Sequence, residues 1–238
     1  MATSVPISFE FYPPKTDEQR TLLDRSAAKL RAHAPEYVSC TFGAGGSTLS
    51  YTPETVQRLR EKHALDAAPH LSCMGGSREE IRQLLKLYRA MGCRRLVALR
   101  GDLPSGMARM GDLRHFKAKV DAGADSAITQ YFYNADAYFR FVDDARKAGI
   151  TIPIIPGIMP ISNFSQLSRF SEACGAEIPR WMAKRLQAYG DDVESIREFT
   201  ADVVAALCRR LVDGGVPELH FYTLNVSRPT QMVLTRLC

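Results

Sequence analysis

Six cysteines are scattered among 238 residues, yet no two form a Cys-x-x-Cys pair. That removes the usual zinc-ribbon and thioredoxin-type motifs. Cys40, Cys73, Cys93, Cys174, Cys208 and Cys238 then read as reduced thiols of a cytoplasmic protein. No apolar run approaches the roughly twenty residues that span a bilayer, so no membrane association is expected. Met1–Ile7 lacks both the charged start and the apolar core of a signal peptide. Low-complexity tracts and Pro/Gly/Ser linkers are missing too, which makes residues 1–238 a single domain. No Gly-x-Gly-x-x-Gly follows the first predicted strand, which argues against a Rossmann dinucleotide site. Gly43-Ala-Gly-Gly-Ser lacks the Lys-Ser/Thr ending of a phosphate loop and reads either as a backbone-rich ligand loop or as a plain turn. A basic block is also lacking. The 31 Lys and Arg against 26 Asp and Glu give +5 spread along the chain, which favours a small anionic ligand over nucleic acid.

What is present starts at Ser8–Lys15, Ser-Phe-Glu-Phe-Tyr-Pro-Pro-Lys. Phe9, Phe11 and Tyr12 favour a strand, and Pro13-Pro14 ends it because proline cannot extend a parallel ladder. Glu10 therefore sits near the carboxyl end of a strand and inside the fold. Loss of water there is expected to raise its pKa and keep a protonated acid available near neutral pH. The alternative is a structural ion pair at a strand end.

A short apolar run, a polar turn and a helical pattern then recur along the chain. Strands are expected at Ile7–Tyr12, Tyr37–Phe42, Ala68–Cys73, Arg95–Leu99, Ser126–Tyr133, Ile152–Ile158 and Glu218–Leu224. Helices are expected from about Asp17 to His33 with Leu22, Leu23, Ala27 and Leu30 inward, and from Thr52-Pro53. A further helix follows Ser77, which forms a capping box with Glu80 and precedes a Leu84–Tyr88 core stripe. Others are expected at Leu113–Ala122, Asp136–Lys147, Asn163–Ala173, Pro179–Gln187 and Val193–Asp213, the last with a Val203–Leu211 core stripe. Seven strands alternating with helices predict a parallel sheet. Glu10, Thr41, His70, Asp102, Gln130 and Asn225 all fall at strand carboxyl ends, which share one face in a parallel barrel.

Several stretches together carry a resemblance. They are Phe9-Glu-Phe-Tyr-Pro-Pro-Lys15, Thr41-Phe-Gly-Ala44, His70-Leu-Ser-Cys73, Ala98-Leu-Arg-Gly-Asp-Leu-Pro104 and Lys119-Val-Asp-Ala-Gly-Ala124. Ile128-Thr-Gln130, Ile155-Pro-Gly-Ile158 and Leu219-His-Phe-Tyr-Thr-Leu-Asn225 continue the series. In content and order the chain resembles the methylenetetrahydrofolate reductases. The resemblance implies a flavin-containing (β/α)8 TIM barrel that acts as an oxidoreductase in one-carbon metabolism and methionine biosynthesis. It would reduce 5,10-methylenetetrahydrofolate to 5-methyltetrahydrofolate, with hydride passing from NADH or NADPH to FAD and then to the folate. It implies Glu10 as general acid and Asp102 as the carboxylate that stabilises the developing cation. Thr41, Phe42, Ala44, His70, Arg100, Gly101, Asp102, Asp112 and Lys119 fall on its flavin-contact positions, with Arg100 and Lys119 facing the pyrophosphate. Gln130, Gln166, Phe170, Tyr222 and Arg228 fall to the folate, and no metal is implied. A homo-oligomer, dimer or tetramer, is implied as well.

The chain departs from the family in three places. Between Pro104 and Asp112 the family carries an additional helix and strand, where this sequence has only Ser105–Gly111, so one βα unit is missing from the eight. We expect residues to be missing from the sequence in hand rather than from the protein. The intact mass would then exceed 26.5 kDa by several kilodaltons. Val226 stands where the family has Arg, with Arg228 two positions later as its substitute for the folate tail. His115 and Ala118 replace usual polar flavin contacts. Two other readings stand beside this one. One is a TIM-barrel lyase or hydrolase using Glu10 and Asp102 as an acid/base pair, and the other a non-catalytic folate- or flavin-binding scaffold.

Overall fold

The computed structural model describes residues 5–42, 51–72, 76–99, 112–161 and 163–237, without the side chains of 112, 173 and 174. Along them run β1 (Ile7–Phe11), α1 (Asp17–Arg31), β2 (Tyr37–Cys40), α2 (Tyr51–Glu61), β3 (Ala67–Ser72), α3 (Arg78–Ala90) and β4 (Val97–Leu99). Then come α4 (Asp112–Asp121), β5 (Ala127–Tyr131), α5 (Ala135–Lys147), β6 (Ile154–Ile158), α6 (Phe164–Cys174), α7 (Arg180–Ala188), α8 (Val193–Asp213), β7 (Leu219–Tyr222) and α9 (Ser227–Leu237). This is the element order of a (β/α)8 barrel short of one βα unit, as expected. Every predicted strand and helix is found, with ends displaced by a few residues.

The chain divides into two compact units. The N-terminal unit holds Ile7–Met107 and Thr223–Ser227, and the C-terminal unit holds Met1–Pro6, Ala108–Tyr222 and Arg228–Cys238. In the first, parallel strands run in the order β4-β3-β2-β1. Glu10 lies opposite Ser39, Ser39 opposite Ala68, and His70 opposite Val97. In the second the order is β7-β6-β5, with Ile128 opposite Ile155 and Gly157 opposite His220.

Local chemistry explains these elements. β1 stops at Phe11, just before Pro13-Pro14. Thr16 caps α1 by accepting from the Gln19 N–H, and Asp17, Glu18, Lys29 and Arg31 complement the helix dipole at its two ends. The Ser77–Glu80 capping box of α3 forms in both directions. Alternation along β1 and β2 buries Phe9, Phe11, Val38 and Cys40 on one face. Ser8, Glu10 and Ser39 therefore take the other.

Two expected stripes are corrected. Leu22 is exposed, and α1 buries Leu23, Ser26, Ala27 and Leu30 instead. These positions follow i, i+3, i+4 and i+7, and Leu22 lies one residue off that row. Of the Leu84–Tyr88 stripe only Tyr88 is buried, while Leu85 and Leu87 are exposed. The neighbouring β4 is uncovered as well, with Leu99 and the preceding Leu96 both more than a third exposed. On the other side of the interval α4 buries none of its described side chains, and β5 buries only Tyr131. Parallel strands are normally covered on both faces, and the elements left uncovered in each unit are those that flank residues 100–111 in the sequence. The Val203–Leu211 stripe holds, since Val204, Ala205, Leu207, Cys208 and Leu211 are all buried. Only residues 100–111 separate β4 from α4. A βαβ crossover with its helix needs at least about a dozen residues, and a complete βαβ unit takes roughly thirty.

One ion cluster ties α1 to α2. Asp24 accepts from Arg58 at 2.8 and 2.5 Å, from Lys62 at 2.8 Å, and lies 2.8 Å from His63 Nε2. The Arg58 guanidinium holds the Asp24 carboxyl well below the usual carboxylate range, helped by His63 and Lys62. A depressed folded-state pKa contributes stability above the ordinary value near ~3.9 and loses it as pH falls below that value. Asp24→Asn is therefore expected to cost about 1–3 kcal/mol at neutral pH. In urea denaturation the gap to the parent protein should narrow steadily as pH falls below about 5; a gap independent of pH would contradict this.

Candidate functional site

Glu10 is the penultimate residue of β1, and its carboxylate is largely buried, with 17% of the side chain exposed. Its Oε2 lies 3.4 Å from Nε2 of His70, a buried residue of β3. Thr41 directly follows β2. Its N–H donates to the Phe11 carbonyl at 2.9 Å, and its own carbonyl accepts from Thr52 Oγ at 3.1 Å. Phe42 follows, half-buried. Glu10, Thr41, Phe42 and His70 are thus gathered at the carboxyl ends of three adjacent parallel strands, where barrel enzymes hold their sites.

The end of β1 is locked by the chain that follows β7. Thr223 donates to the Glu10 carbonyl through both its Oγ at 2.6 Å and its N–H at 3.2 Å. Leu224 and Asn225 then take left-handed backbone conformations, with φ of 50° and 57°. For asparagine this is tolerable, but for leucine it costs about 1–3 kcal/mol. The turn swings the Asn225 carboxamide back onto β1, where its Oδ1 accepts from the Tyr12 N–H at 3.0 Å. Its Nδ2 donates to the Tyr12 carbonyl at 2.9 Å. The Asn225 carbonyl accepts from Ser26 Oγ of α1 at 2.7 Å. A side-chain amide thus does the work of one more residue of parallel ladder, beyond the point where Pro13-Pro14 forbids backbone pairing.

In the C-terminal unit Tyr222 Oη donates to the Thr129 carbonyl at 2.8 Å, and its ring stands edge-on to Tyr131 and to His220. Gly157 of β6 makes this possible, because a Cβ there would lie 2.4 Å from the Thr129 oxygen and 2.6 Å from the Tyr222 ring. Gln130, exposed on β5, turns its Oε1 onto the Tyr131 N–H at 3.0 Å. Gln166 sits in the first turn of α6, where Asn163 Oδ1 accepts from its N–H at 2.8 Å. Phe170 lies four residues on and is exposed, available for contact rather than locked in a core. Arg228 pairs with Glu194, which also meets Arg197 at 3.5 Å.

The remaining expectations fall elsewhere. Lys119 is exposed in the last turn of α4, and the side chain of Asp112 lies outside the described residues. So do Ala44, Arg100, Gly101 and Asp102. Among the described residues no group of three His, Cys, Asp or Glu suits a metal ion. Cys40, Cys93 and Cys208 carry free thiols, and burial pushes Cys208 up to about 12. No described helix is long and apolar enough to cross a membrane. Sequence reasoning did not assign roles to Thr223, Gly157 or Thr129. The Thr-Leu-Asn run was the one available signal, since two polar residues closing an apolar strand mark a backbone-binding turn.

The donor set of the N-terminal unit suits a flavin ring. A hydroxyl, a buried imidazole and an aromatic side chain stand at neighbouring strand ends, matching a flat heterocycle whose edge alternates donors and acceptors.

The family model described as methylenetetrahydrofolate reductase matches residues 2–112 and 107–238. The chain is 35% identical to the 5,10-methylenetetrahydrofolate reductase of Salmonella typhimurium, covering 92% of this chain and 86% of that protein. That alignment runs over 254 positions, whereas 92% of this chain is about 219 residues, so roughly 35 positions have no residue here. To methylenetetrahydrofolate reductase 1 of Schizosaccharomyces pombe it is 33% identical, over 98% of this chain and 46% of that protein. A solved structure matches with TM-score 0.62 and 16% identity, over 99% of this chain and 94% of the other. It is an uncharacterized protein from Clostridium thermocellum that binds two copies of 5-methyl-5,6,7,8-tetrahydrofolic acid, and at that identity the likeness concerns the fold.

The lock on β1 is open to test. Asn225→Ala removes two hydrogen bonds and leaves the Tyr12 N–H and carbonyl without them, which should cost about 2–4 kcal/mol in urea denaturation. A loss under 0.5 kcal/mol would show that β1 is held by other means.

Proposed function

The chain belongs to the methylenetetrahydrofolate reductase family, and we propose that it reduces 5,10-methylenetetrahydrofolate to 5-methyltetrahydrofolate with electrons from NADH or NADPH. The observation that carries this reading is the place of Glu10, a largely buried carboxylate at the end of β1 beside His70. A protonated carboxyl there donates its proton to the outer nitrogen of the folate's imidazolidine ring. That ring then opens to an iminium cation whose methylene carbon accepts hydride. Bound FAD supplies the two-electron relay from nicotinamide to folate, so the two substrates use one site in turn and the kinetics are ping-pong.

Thr41, Phe42 and His70 would hold the flavin ring, with Ala44, Arg100, Gly101, Asp112 and Lys119 completing its contacts. Asp102 would offset the cation's charge. Gln130 and Gln166 offer amides that match the donors and acceptors of a pterin edge, and Phe170 an aromatic face to stack on it. Tyr222 would border the same ring. Arg228 would exchange Glu194 for the carboxylates of the folate's glutamate tail, a trade between two solvent-exposed anions that costs little. The whole of residues 1–238 forms this one catalytic domain, acting in the cytoplasm as a homodimer or homotetramer.

Glu10→Gln is expected to lower folate reduction at least 10³-fold while NAD(P)H reduction of the flavin stays within about threefold of the parent, because only the folate step requires an acid. Half-reactions followed separately would check this. Equal loss of both would reject Glu10 as the acid, and turnover of substrate with neither flavin nor nicotinamide would point to lyase or hydrolase chemistry.

A further inference from the structure

Glu194 lies in the first turn of α8, and its carboxylate meets two guanidinium groups at once. Its Oε1 accepts from Arg228 Nη2, and its Oε2 lies 3.5 Å from Arg197 Nη1. Arg228 belongs to the first turn of α9, whereas Arg197 comes from α8 itself. Two guanidinium forks closing on the two oxygens of one carboxylate form a clamp for that group. The other acids at this end of α8 are engaged differently. Asp192 caps the helix through Ser195, Glu198 pairs with Arg236, and Asp191 lines a cavity.

The two arginines are not equivalent. The Arg228 side chain is 57% exposed, that of Arg197 only 26%. Arg197 Nε is buried without a hydrogen bond among the described residues, and the 3.5 Å to Glu194 exceeds the ~2.7–3.2 Å of a good one. A largely enclosed cation is thus only loosely answered, which is unfavourable unless something else completes its bonding. The cavity beside it is about 370 Å³ and lies between the starts of α6 and α8, within the size range of small-molecule sites. Ser165 and Val193 both line it, and they are the sequence neighbours of Gln166 and Glu194.

We propose that Arg197 and Arg228 together bind a carboxylate of the folate's glutamate tail, and that Glu194 is a resident stand-in for that carboxylate, which the tail displaces. The inference rests on the reading of the substrate as a folate and adds Arg197 and Glu194 to the residues that select it. A free carboxylate gives Arg197 the short hydrogen bonds that Glu194, fixed three residues away on the same helix, does not. Glu194 in turn sets a threshold. A ligand without a carboxylate leaves the clamp shut, because only another anion takes its place without stranding two cations.

Binding to the full-length protein separates these roles. The probes are 5-methyltetrahydrofolate and 5-methyltetrahydropteroate, which lacks only the glutamate, and calorimetry reads their dissociation constants. The parent should bind the folate at least about tenfold more tightly than the pteroate. Arg197→Gln should weaken the folate about five- to tenfold and leave the pteroate within about twofold. Glu194→Gln should tighten the folate about two- to fivefold, the range of an exposed ion pair, with the pteroate unchanged. A gain in affinity cannot come from misfolding, so this variant keeps the test decisive should Arg197→Gln fail to fold. Equal affinity of the parent for both probes, equal weakening of both by Arg197→Gln, or no tightening in Glu194→Gln overturns the clamp and leaves the folate reading standing. Glutamate-dependent binding that responds to both variants, in a protein that reduces no folate, upholds the clamp and overturns the proposed reaction. Binding of neither probe overturns both.

Discussion

The whole candidate site leans on a side-chain amide standing in for backbone. Proline ends β1 two residues after Phe11, where the ladder can no longer fix the strand. The Asn225 carboxamide closes on Tyr12 in both directions, and Thr223 holds the Glu10 carbonyl. An acid at a frayed strand end would swing into solvent and lose its directed proton. Held at both the residue itself and two residues beyond, Glu10 keeps one orientation beside His70. The left-handed Leu224 is the strained element in this arrangement, and the Asn225 bonds offset it.

The missing βα unit is the second constraint. In the N-terminal unit α3, β4 and the residue before β4 expose Leu85, Leu87, Leu96 and Leu99, and in the C-terminal unit α4 and β5 are largely uncovered. These are the elements on either side of residues 100–111, and roughly 35 positions of the Salmonella typhimurium alignment have no residue in this chain. Exposed parallel edges and apolar helix faces raise the hazard of self-association. The fold retains the strand ends that carry Glu10 and Thr41 because their support comes from β1–β3 and the Thr223–Asn225 turn, away from that interval.

Much of this was legible in the residues. Aromatic-rich Ile7–Tyr12 ending in two prolines announced β1, and the Ser77–Glu80 spacing announced the start of α3. Alternating strand and helix patterns announced the parallel fold. Leu22 and the Leu84–Tyr88 stripe misled, because hydrophobicity tells which residues prefer burial but not whether a neighbour exists to cover them. The lock by Asn225 was hidden for another reason. A polar residue at a strand end looks equally like a ligand contact, and only the backbone turn through Leu224 shows that it reaches back 213 residues to β1.

The claim that a buried acid on β1 serves flavin-mediated folate reduction is tested most directly by anaerobic mixing. Protein loaded with one equivalent of FAD is mixed first with NADH or NADPH and then with 5,10-methylenetetrahydrofolate. The account predicts that the flavin bleaches on the first mixing. It predicts that the yellow colour returns on the second, with one equivalent of 5-methyltetrahydrofolate formed. Flavin that stays bleached in the presence of the folate, or methyl product formed at full rate by protein carrying no flavin, would contradict it.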